Sequence, residues 1–445
     1  MKSIRIPMSL LLLSLMVSHN ASAIPTVFVR TDGNDATCNG SLDIAAGAGA
    51  CAKATISAAV ATVDAGGTIN VAAGIYVDAA QVLIDKVVSI VGAGMNSTIL
   101  TPGFNTGNSG DSRGWYLVSP TGALIASMLT FDGQSGTRQV LQALRITGGA
   151  DFSNVRFRNI KFDQHQGFAI VAFGNSMVDV QDSEFLNIQR VGVLYFGPGV
   201  NNSRFHRNTY TGKGVGDFLE YGLEISSGAQ ISVSDNSFSA CRGVLSGSGS
   251  ESAGVLVTTA FGAGTVGWFS GNVFTDNSNG LLIGADPSDS AEASIDGDIF
   301  DLNDRGLWSQ SDGGLWLVNS CITQQSEIGV QLDAPDLAVT VISNNNFVDN
   351  LTAGLTSATN STVDATMNWW GKADGATGHG GSGDAATGNV DATMPLASPS
   401  QSTPQCAGIP THQADLPIPT LNLWGLALLI IAIITTRFRR RREYR

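Results

Sequence analysis

The sequence has few cations and, apart from its ends, a strongly acidic balance. Its 445 residues include 24 Lys or Arg and 37 Asp or Glu, and six of the arginines lie in the last nine positions. Setting aside Lys2, Arg5, Glu443 and those six arginines leaves 16 basic and 36 acidic residues, a net charge of about −20. Such a chain repels phosphate backbones, which excludes nucleic acids from the expected partners.

The few cations are also unevenly distributed. Nine of the 16 fall within a stretch of 76 residues. They are Arg138, Arg145, Arg156, Arg158, Lys161, Arg190, Arg204, Arg207 and Lys213. We therefore expect one basic zone on an otherwise acidic surface.

Between residues 162 and 369 the apolar residues do not recur with a helical period. One sequence motif, which we call a phrase, recurs there instead. It consists of a bulky apolar anchor, then Asn or a substitute three positions later, then Gly and an apolar-x-apolar triplet. The anchors are Phe162, Phe185, Phe205, Phe238, Phe274, Phe300, Ile322, Phe347 and Trp369. The glycines are Gly167, Gly192, Gly222, Gly254, Gly280, Gly306, Gly329 and Gly354. Because the triplets put apolar side chains two residues apart, they predict strands.

The anchors recur every 20 to 36 residues, a spacing typical of solenoids. The residues three positions after an anchor include Asn208, Asn277, Asn303, Gln325 and Asn350. Asn tolerates a left-handed corner, so we expect these residues to stack at the corners. One coil cannot bury its inward row alone, and neighbouring coils must stack at about 4.8 Å. Residues 68–369 then predict about a dozen coils in a rod roughly 60 Å long.

These phrases resemble those of right-handed parallel β-helix proteins of the pectin-lyase-like superfamily. The resemblance covers residues 68–371, from the opening phrase at 68–76 to the closing phrase at 368–371. It implies an all-β fold, a right-handed parallel β-helix solenoid. Within a cap region of residues 24–67, the amphipathic segment 54–63 predicts a short helix that covers the open end of the rod.

Both ends of the chain carry segments typical of exported proteins. Residues 1–23 have the charged start, apolar centre and small-residue exit of a secretory signal peptide. Residues 372–416 are rich in Gly, Ala, Ser, Thr and Pro and predict a flexible spacer. Within residues 417–445, the apolar run 421–436 precedes an Arg-rich tail. This order predicts a transmembrane segment whose end stays in the cytoplasm.

The last segment resembles the IPTL-type C-terminal sorting signal. Its motif residues are Ile418, Pro419, Thr420, Leu421, Trp424 and Gly425. The resemblance implies handling by an exosortase-type membrane enzyme in the envelope of a Gram-negative bacterium. We therefore expect an exported protein of the cell envelope or surface, anchored transiently or permanently in the inner membrane. We also expect cleavage to remove the Arg tail; a plain tail anchor is the alternative.

The chain contains five cysteines. Cys38 and Cys51 bracket a loop rich in Gly and Ala, and in an oxidising compartment they are expected to form a disulfide. Cys241 and Cys321 lie beside anchors that are three coils apart, roughly 14 Å, which is too far for a disulfide. They are expected to be free thiols in or near the core. Cys406 has no obvious partner.

Catalytic signatures of β-helix enzymes are incomplete in this chain. There is no Asp-Asp pair, which polygalacturonase-like hydrolases need, and residues 181–182 and 214–218 only echo phrases of pectin methylesterases. Lyases of the superfamily use an Arg or Lys base, with Ca²⁺ or cationic side chains neutralising the uronate carboxylate. A lyase site would therefore lie in the basic zone, and outside that alternative we expect no metal or cofactor.

The candidate catalytic residues are Lys161, Arg204 and His206. Lys161, Glu184 and Arg204 each precede an anchor on successive coils, which predicts one outward row at about 4.8 Å per step. Asp163 and His206 are expected on the same face. A surface charge ladder of alternating sign explains the same pattern, and its pairs contribute only some tenths of a kcal/mol each.

Two consecutive coils carry long insertions at one corner, residues 210–218 and 243–252. We expect these loops to lie side by side as a lip over one sheet, where functional loops are often found. On that sheet the middle residues of the triplets point outward, and this apolar row either stacks on sugar rings or is covered by the lip. The candidate binding residues are Glu184, Arg207, Lys213, Asp217, Glu224 and Trp308.

These patterns favour a secreted, envelope-sorted β-helix protein that acts as a surface binding or structural protein, with glycans as candidate ligands. The scaffold is well marked, whereas every catalytic signature is incomplete. The alternative is an enzyme, a lyase or hydrolase, that acts on acidic polysaccharide.

Overall fold

The computed structural model describes residues 25–47, 49–244, 251–286, 288–334 and 339–403. Over this part of the chain the backbone winds as a parallel β-helix, in which a typical turn gives one strand to each of three faces. Strands of one face pair in parallel with the equivalent strands of the neighbouring turns. On the third face, for example, Val193 lies opposite Leu223, and Leu223 lies opposite Val255. The predicted all-β solenoid is confirmed.

The elements are grouped by face. The first face consists of Thr26–Val29, Gly67–Val71, Val87–Gly92, Ala123–Asp132, Gly149–Ile160, Val178–Gln181, Arg204–His206, Gln230–Ser234, Val266–Ser270, Glu292–Asp296, Leu315–Val318 and Thr340–Ser343, with the short pair Val363–Asp364 and Val390–Asp391 beyond it. The second face consists of Gly74–Asp78, Thr98–Pro102, Glu184–Ile188, Thr209–Thr211, Ser237–Ser239, Val273–Thr275, Ile299–Asp301, Cys321–Thr323 and Asn346–Val348, together with the second halves of Ala123–Asp132 and Gly149–Ile160. The third face consists of Val82–Ile84, Gly114–Val118, Gln142–Ile146, Phe168–Phe173, Val191–Phe196, Tyr221–Ser226, Ala253–Thr258, Asn279–Ile283, Arg305–Ser309, Ile328–Leu332, Ala353–Ser357, Ala376–Thr377 and Gly383–Gly388. The helices are Ile56–Thr62 and two 3-10 turns, Gly110–Arg113 and Pro198–Val200.

A column of aromatic rings fills the interior along the second face. The rings that stack on a neighbouring turn include Phe131, Phe157, Phe185, Phe238, Phe274 and Phe300. Tyr210 occupies the same column between Phe185 and Phe238. Each ring covers the ring of the next turn, so the core is continuous along the axis.

Three of the predicted anchors are wrong: Phe162, Phe205 and Trp369, since it is Trp370 that is buried and stacks on Phe347. Phe162 lies in the bend after its strand, and Phe157 takes the inward position on that turn. Phe205 does point inward, but on the first face opposite Val180, while Tyr210 fills the second-face position of the same turn. The error arises because the first and second strands of a turn are separated by a single bend, so two bulky inward residues lie five positions apart.

Two ladders of polar side chains join the turns at the corners. The ladder between the first and second faces consists of Asn208, Asn236, Asn272, Asp298, Ser320, Asn345 and Asn368. The ladder between the second and third faces consists of Cys241, Asn277, Asn303, Gln325, Asn350 and Asp384. A side-chain oxygen of one turn accepts the backbone N–H of the ladder residue in the turn before. The left-handed corner falls one position earlier than predicted, for example at Asp235 and Asp276, with φ of 57° and 55°.

The N-terminal end is closed as predicted. Helix Ile56–Thr62 starts at Thr55, whose Oγ1 accepts the backbone N–H of Ala58 at 3.2 Å. It packs on the first strands and covers their inward side chains. The predicted disulfide between Cys38 and Cys51 is confirmed, with their Cα atoms 4.8 Å apart.

The remaining cysteines differ from one another. Cys241 is a buried free thiol, as predicted, and burial raises the pKa of its thiol well above the usual value. Cys321 is buried and disulfide-bonded, so the predicted free thiol at this position is wrong. The coil spacing excluded Cys241 as the partner of Cys321. It said nothing about cysteines outside the repeated coils. Cys406 lies outside the described residues.

The β-helix extends beyond the predicted boundary at Gly371. Strand Gly383–Gly388 pairs with Ala353–Ser357, and Asp384 ends the second ladder by accepting the N–H of Asn350. The predicted flexible spacer is therefore wrong over residues 372–403. The error arose because a composition rich in Gly, Ser and Thr suits tight turns as well as flexible linkers. No helix in the described part of the chain is long and apolar enough to cross a membrane. The predicted signal peptide, sorting motif and transmembrane segment lie outside that part.

Asp298 is the acidic member of the first ladder. Its Oδ1 accepts the N–H of Asn272 at 2.8 Å and the Nδ2 of the same residue at 3.2 Å. The other ladder amides, such as Asn272, also donate Nδ2–H to a carbonyl of the turn before, here Val233 at 2.9 Å. A carboxylate has no hydrogen to donate in this way. Burial raises the pKa of Asp298 to about 8, so at neutral pH the folded protein holds this carboxyl protonated.

The Asp298→Asn variant should be more stable than the wild type by roughly 1 to 3 kcal/mol above neutral pH, because the amide restores a donor without binding a proton. The folded pKa of Asp298, about 8, exceeds the usual value of 3.8, so its contribution is complete below about 4 and is lost as pH rises through about 8. Urea unfolding across this range should show the difference between the two proteins growing with pH. Glu292→Gln, at an exposed position of the same turn, is the control; parallel pH profiles for Asp298→Asn and the wild type would contradict the prediction.

Candidate functional site

The two long loops lie side by side at the corner between the second and third faces. We call residues 212–220, 240–244 and 251–252 the lip. Gly216 bridges to Gly243, and the N–H of Val244 donates to the carbonyl of Gly216 at 3.0 Å. The predicted lip of two adjacent loops is therefore present, and residues 245–250 of the second loop lie outside the described residues.

A buried ion pair holds the first loop of the lip in place. Lys213 Nζ donates to Glu220 Oε2 at 2.5 Å and to the carbonyls of Ile188 and Gln189 at 2.7 and 2.8 Å. It also lies 4.4 Å from the centre of the Phe218 ring. Burial lowers the pKa of Lys213 and raises the pKa of Glu220, whose side chain is fully buried. Lys213, a predicted binding residue, therefore fastens the loop to the turn before it and has no donor left for a ligand.

An apolar cluster lies outside the third face, beside the lip. Its members are Val191, Leu219, Tyr221, Ala253, Leu256 and Leu282, with Phe168, Leu194 and Trp308 at its edge. Leu219 of the lip packs on this face, and Leu256 and Leu282 are almost fully buried. The protein itself therefore covers most of the apolar row that the triplets predicted.

Glu224 is the carboxyl within this cluster. It lies in the outward row between Leu194 and Leu256, and only 9% of it is exposed. Burial raises its pKa to about 6, and the positive charge of Arg190 limits the rise. The guanidinium of Arg190 lies 5.8 Å from the centre of the Tyr221 ring. Glu224 can thus gain or lose a proton near neutral pH, as a general acid or base must.

Trp308 is held by neighbouring side chains. Its Nε1 donates to Asp333 Oδ2 at 2.8 Å, and the guanidinium of Arg305 lies 4.7 Å from its ring centre. Arg305 in turn bonds to Glu251 and Glu327 at 2.7 and 3.0 Å. The Trp308 ring is only partly exposed. These contacts hold it in place at the edge of the apolar cluster on the third face.

The predicted row of Lys161, Glu184 and Arg204 does not exist. Glu184 lies on the second face beside Arg156, at 2.7 Å, whereas Arg204 lies on the first face and bonds to Asp179 at 2.6 Å. Lys161 lies in the bend that follows its strand. The row failed because it rested on Phe162 and Phe205, two of the misassigned anchors.

The other predicted site residues in and next to the basic zone either bond to neighbouring side chains or lie on a different part of the surface. His206 Nε2 is 2.9 Å from Gln181 Oε1, and burial followed by the charge of Arg207 lowers its pKa. Arg207 bonds to Asp182 at 2.8 Å. Asp217 is exposed on the first loop of the lip. The structure therefore does not bring the three candidate catalytic residues together.

Three other cations of the basic zone do come together at the lip corner. Arg138, Lys161 and Arg190 lie there on three successive turns, and we call them the basic corner. Within the described residues, none of the three has a carboxylate within 4.0 Å, although nine other cations do. The sequence singled out Lys161 as a candidate but grouped it with Arg204 and His206, not with Arg138 and Arg190, because pairing depends on the register between turns.

A groove opens at the basic corner. It has a volume of about 450 Å³, and Arg138 and Lys161 line it. Its other lining residues are Asn105, Gly136, Thr137, Gln139, Asp163 and Gln164. Asp163 Oδ1 already accepts the N–H groups of His165 and Gln166, at 2.8 and 3.1 Å. The groove therefore offers two unpaired cations and several neutral polar groups. No group of three or more His, Cys, Asp or Glu among the described residues is arranged to hold a metal ion.

Comparison with known proteins bears on the fold. A family described as a right handed beta helix region matches residues 127–262. Similar solved structures include a periplasmic alginate epimerase, 10% identical, with a TM-score of 0.47 over 74% of this chain and 75% of that one. Another is the A-module of a mannuronan C-5 epimerase from Azotobacter vinelandii, 15% identical, with a TM-score of 0.44 over 74% and 87%. No curated protein sequence matches the chain. The family match over residues 127–262 agrees with the parallel β-helix of the described residues and gives it a right-handed sense.

The Lys213→Met variant should lose about 3 kcal/mol of unfolding free energy, because Glu220 would remain buried without its partner charge. A second variant, Lys213→Met with Glu220→Gln, should recover most of this loss, since it leaves no buried charge. Urea unfolding measures the stability, and limited proteolysis reports on the lip. Lys372→Met, at an exposed cation, is the matched control; a single Lys213→Met variant as stable as the wild type would disprove the role of this pair.

Proposed function

We propose that this protein is an exported protein of the cell surface that binds an acidic glycan at the basic corner. The observation that carries the proposal is the absence of carboxylate partners around Arg138, Lys161 and Arg190 within the described residues. In a chain of strongly acidic balance, unpaired cations on successive turns favour an anionic ligand. Ionic attraction positions such a ligand and also adds charge-assisted hydrogen bonds.

The lining of the groove supports a sugar as the anionic ligand. Asn105, Gln139 and Gln164 line the groove with amides. Their Nδ2 and Nε2 groups are donors for a ligand rich in hydroxyl groups, whereas Asn105 Oδ1 and Gln139 Oε1 already accept backbone N–H groups of the protein. The volume of about 450 Å³ lies within the range of small-ligand sites. The turns that carry Arg138 and Arg190 are two steps apart, about 9.6 Å. We therefore propose a uronic-acid oligomer, whose carboxylates recur along its length.

The Arg138→Gln, Lys161→Gln double variant should bind oligogalacturonate roughly tenfold more weakly than the wild type, because it removes two charge-assisted contacts. Binding by the wild type should weaken as NaCl is raised, and the variant should respond less to salt. Isothermal titration of the full chain measures both effects, with Lys372→Gln as the control. Unchanged affinity in the double variant, or equal affinity for a neutral oligosaccharide, would refute an anionic site at this corner.

A second function, a lyase or hydrolase on acidic polysaccharide, is favoured by Glu224. Its carboxyl has a pKa of about 6, and the positive charge of Arg190 acts on it. Arg190 belongs to the basic corner, so a uronate held there would approach a group able to transfer a proton. In a lyase, cations that neutralise the uronate carboxylate and a base that removes the neighbouring proton act together.

Under this second function, polyuronate incubated with the chain should give unsaturated ends that absorb in the ultraviolet, or new reducing ends. Glu224→Gln should lower that rate by roughly 100- to 10,000-fold with little change in binding. The rate should change with an apparent pKa of about 6. Glu292→Gln, at an exposed position on the first face, is the control. No product from the wild type would leave binding as the function.

A further inference from the structure

The first face carries an aromatic row that none of the sites described above uses. Its outward residues on successive turns are Ser232, Trp268, Ser294 and Trp316, which we call the tryptophan row. Parallel pairing puts them directly above one another. The two indoles are separated by one turn carrying serine, so their Cα atoms lie two steps apart, about 9.6 Å.

Both indoles are exposed to an extent that folding does not require. Trp268 is 44% exposed and Trp316 is 36% exposed, whereas Trp115 and Trp370 are fully buried in the core. Large aromatic surface in water costs free energy relative to a buried ring. Rings aligned on one face and left uncovered mark a contact surface.

The fold makes room for one of these rings. A Cβ atom at Gly314 would lie 2.7 and 2.8 Å from two carbon atoms of the Trp316 six-membered ring. The missing side chain therefore lets the indole lie close to the sheet. The preceding row residue, Ser294, has a small side chain and leaves the space between the rings open.

The strands that carry the row contain no cation. They are Gln230–Ser234, Val266–Ser270, Glu292–Asp296 and Leu315–Val318, and like Thr340–Ser343 of the next turn they contain no Lys or Arg. On the turn before the row, Arg204 lies opposite Ser232, and its charge is paired with Asp179 at 2.6 Å. Hydroxyls lie beside the rings at Ser234 and Ser270, and the exposed carboxylates are Glu292 and Asp296. A polyanion would be repelled here, so the ligand of this face differs from that of the basic corner.

We propose that the tryptophan row binds a neutral polysaccharide whose chain runs along the helix axis. The apolar face of a pyranose ring stacks on an indole, and the serine hydroxyls satisfy the sugar hydroxyls. The Cα separation of Trp268 and Trp316, about 9.6 Å, approximates the length of two residues of an extended β-linked hexose chain. Alternate sugars would therefore stack, with the sugar between them above Ser294. This site does not depend on the basic corner, which lies between the other two faces.

The test measures binding of cellohexaose and mannohexaose to the full chain by titration calorimetry and tryptophan fluorescence. Trp268→Ala and Trp316→Ala should each weaken binding by roughly 3- to 10-fold, and the double variant should do so by more. Trp316→Phe should retain part of the affinity, because a phenyl ring still stacks. Binding should change little with NaCl, since no ionic contact is involved.

The controls separate this site from the other proposals. Phe261→Ala, at a 64% exposed aromatic on a different corner, should leave binding unchanged. The Arg138→Gln, Lys161→Gln variant should also retain neutral-sugar binding if the two sites are separate. If neither hexasaccharide binds, or the tryptophan double variant binds as well as the wild type, the proposal fails. A change from dimer to monomer in the tryptophan double variant by light scattering would also overturn it, because the row would then join two copies of the chain.

Discussion

The fold depends on contact between successive turns. A single turn is a flat ring of three short strands, and its inward side chains have no interior of their own. Phe274 becomes buried only because Phe238 and Phe300 stack on its two sides, with centroids 5.3 and 4.9 Å away. The backbone follows the same rule, since the corner N–H of one turn is satisfied by an amide of the next. Stability therefore lies in inward rows and ladders, each repeated along the axis.

This dependence explains which parts of the fold the sequence predicted well. Glycines that open the third-face triplets are held in register by close packing. A Cβ at Gly192 would lie 2.3 Å from the carbonyl oxygen of Gly222, and one at Gly222 would lie 2.7 Å from that of Gly254. From Gly192 to Gly354, glycine therefore marked the third face, whereas on the turn before Ala169 takes this position and the predicted Gly167 lies two residues earlier. The aromatic anchors are less restrictive, because Phe205 suits the first face as well as Tyr210 suits the second.

The candidate site was harder to predict, because charge pairing is decided between turns. Arg204 and Asp179 are 25 residues apart in sequence, and Arg156 and Glu184 are 28 apart, about one turn in each case. An error of one strand in register exchanges such partners. The sequence therefore located the basic zone but not the cations that lack a carboxylate. Burial raised the same difficulty at Glu224: its place in the outward row and cover of that row by the lip were both predicted, but not the raised pKa that follows from burial.

The inward rows provide the stability of the fold. An outward side chain without a partner within the protein therefore indicates a surface that binds something else. Within the described residues, nine cations are paired with carboxylates, and most of these pairs join neighbouring turns. The basic corner and the tryptophan row depart from this rule in opposite chemical senses, one through unpaired charge and the other through uncovered aromatic surface. The β-helix keeps these surfaces apart, because the basic corner lies on the turns of Ala123–Asp132 to Val178–Gln181 and the tryptophan row lies on another face of later turns, Gln230–Ser234 to Leu315–Val318. A three-sided solenoid can thus present two different binding chemistries along one axis without altering its core.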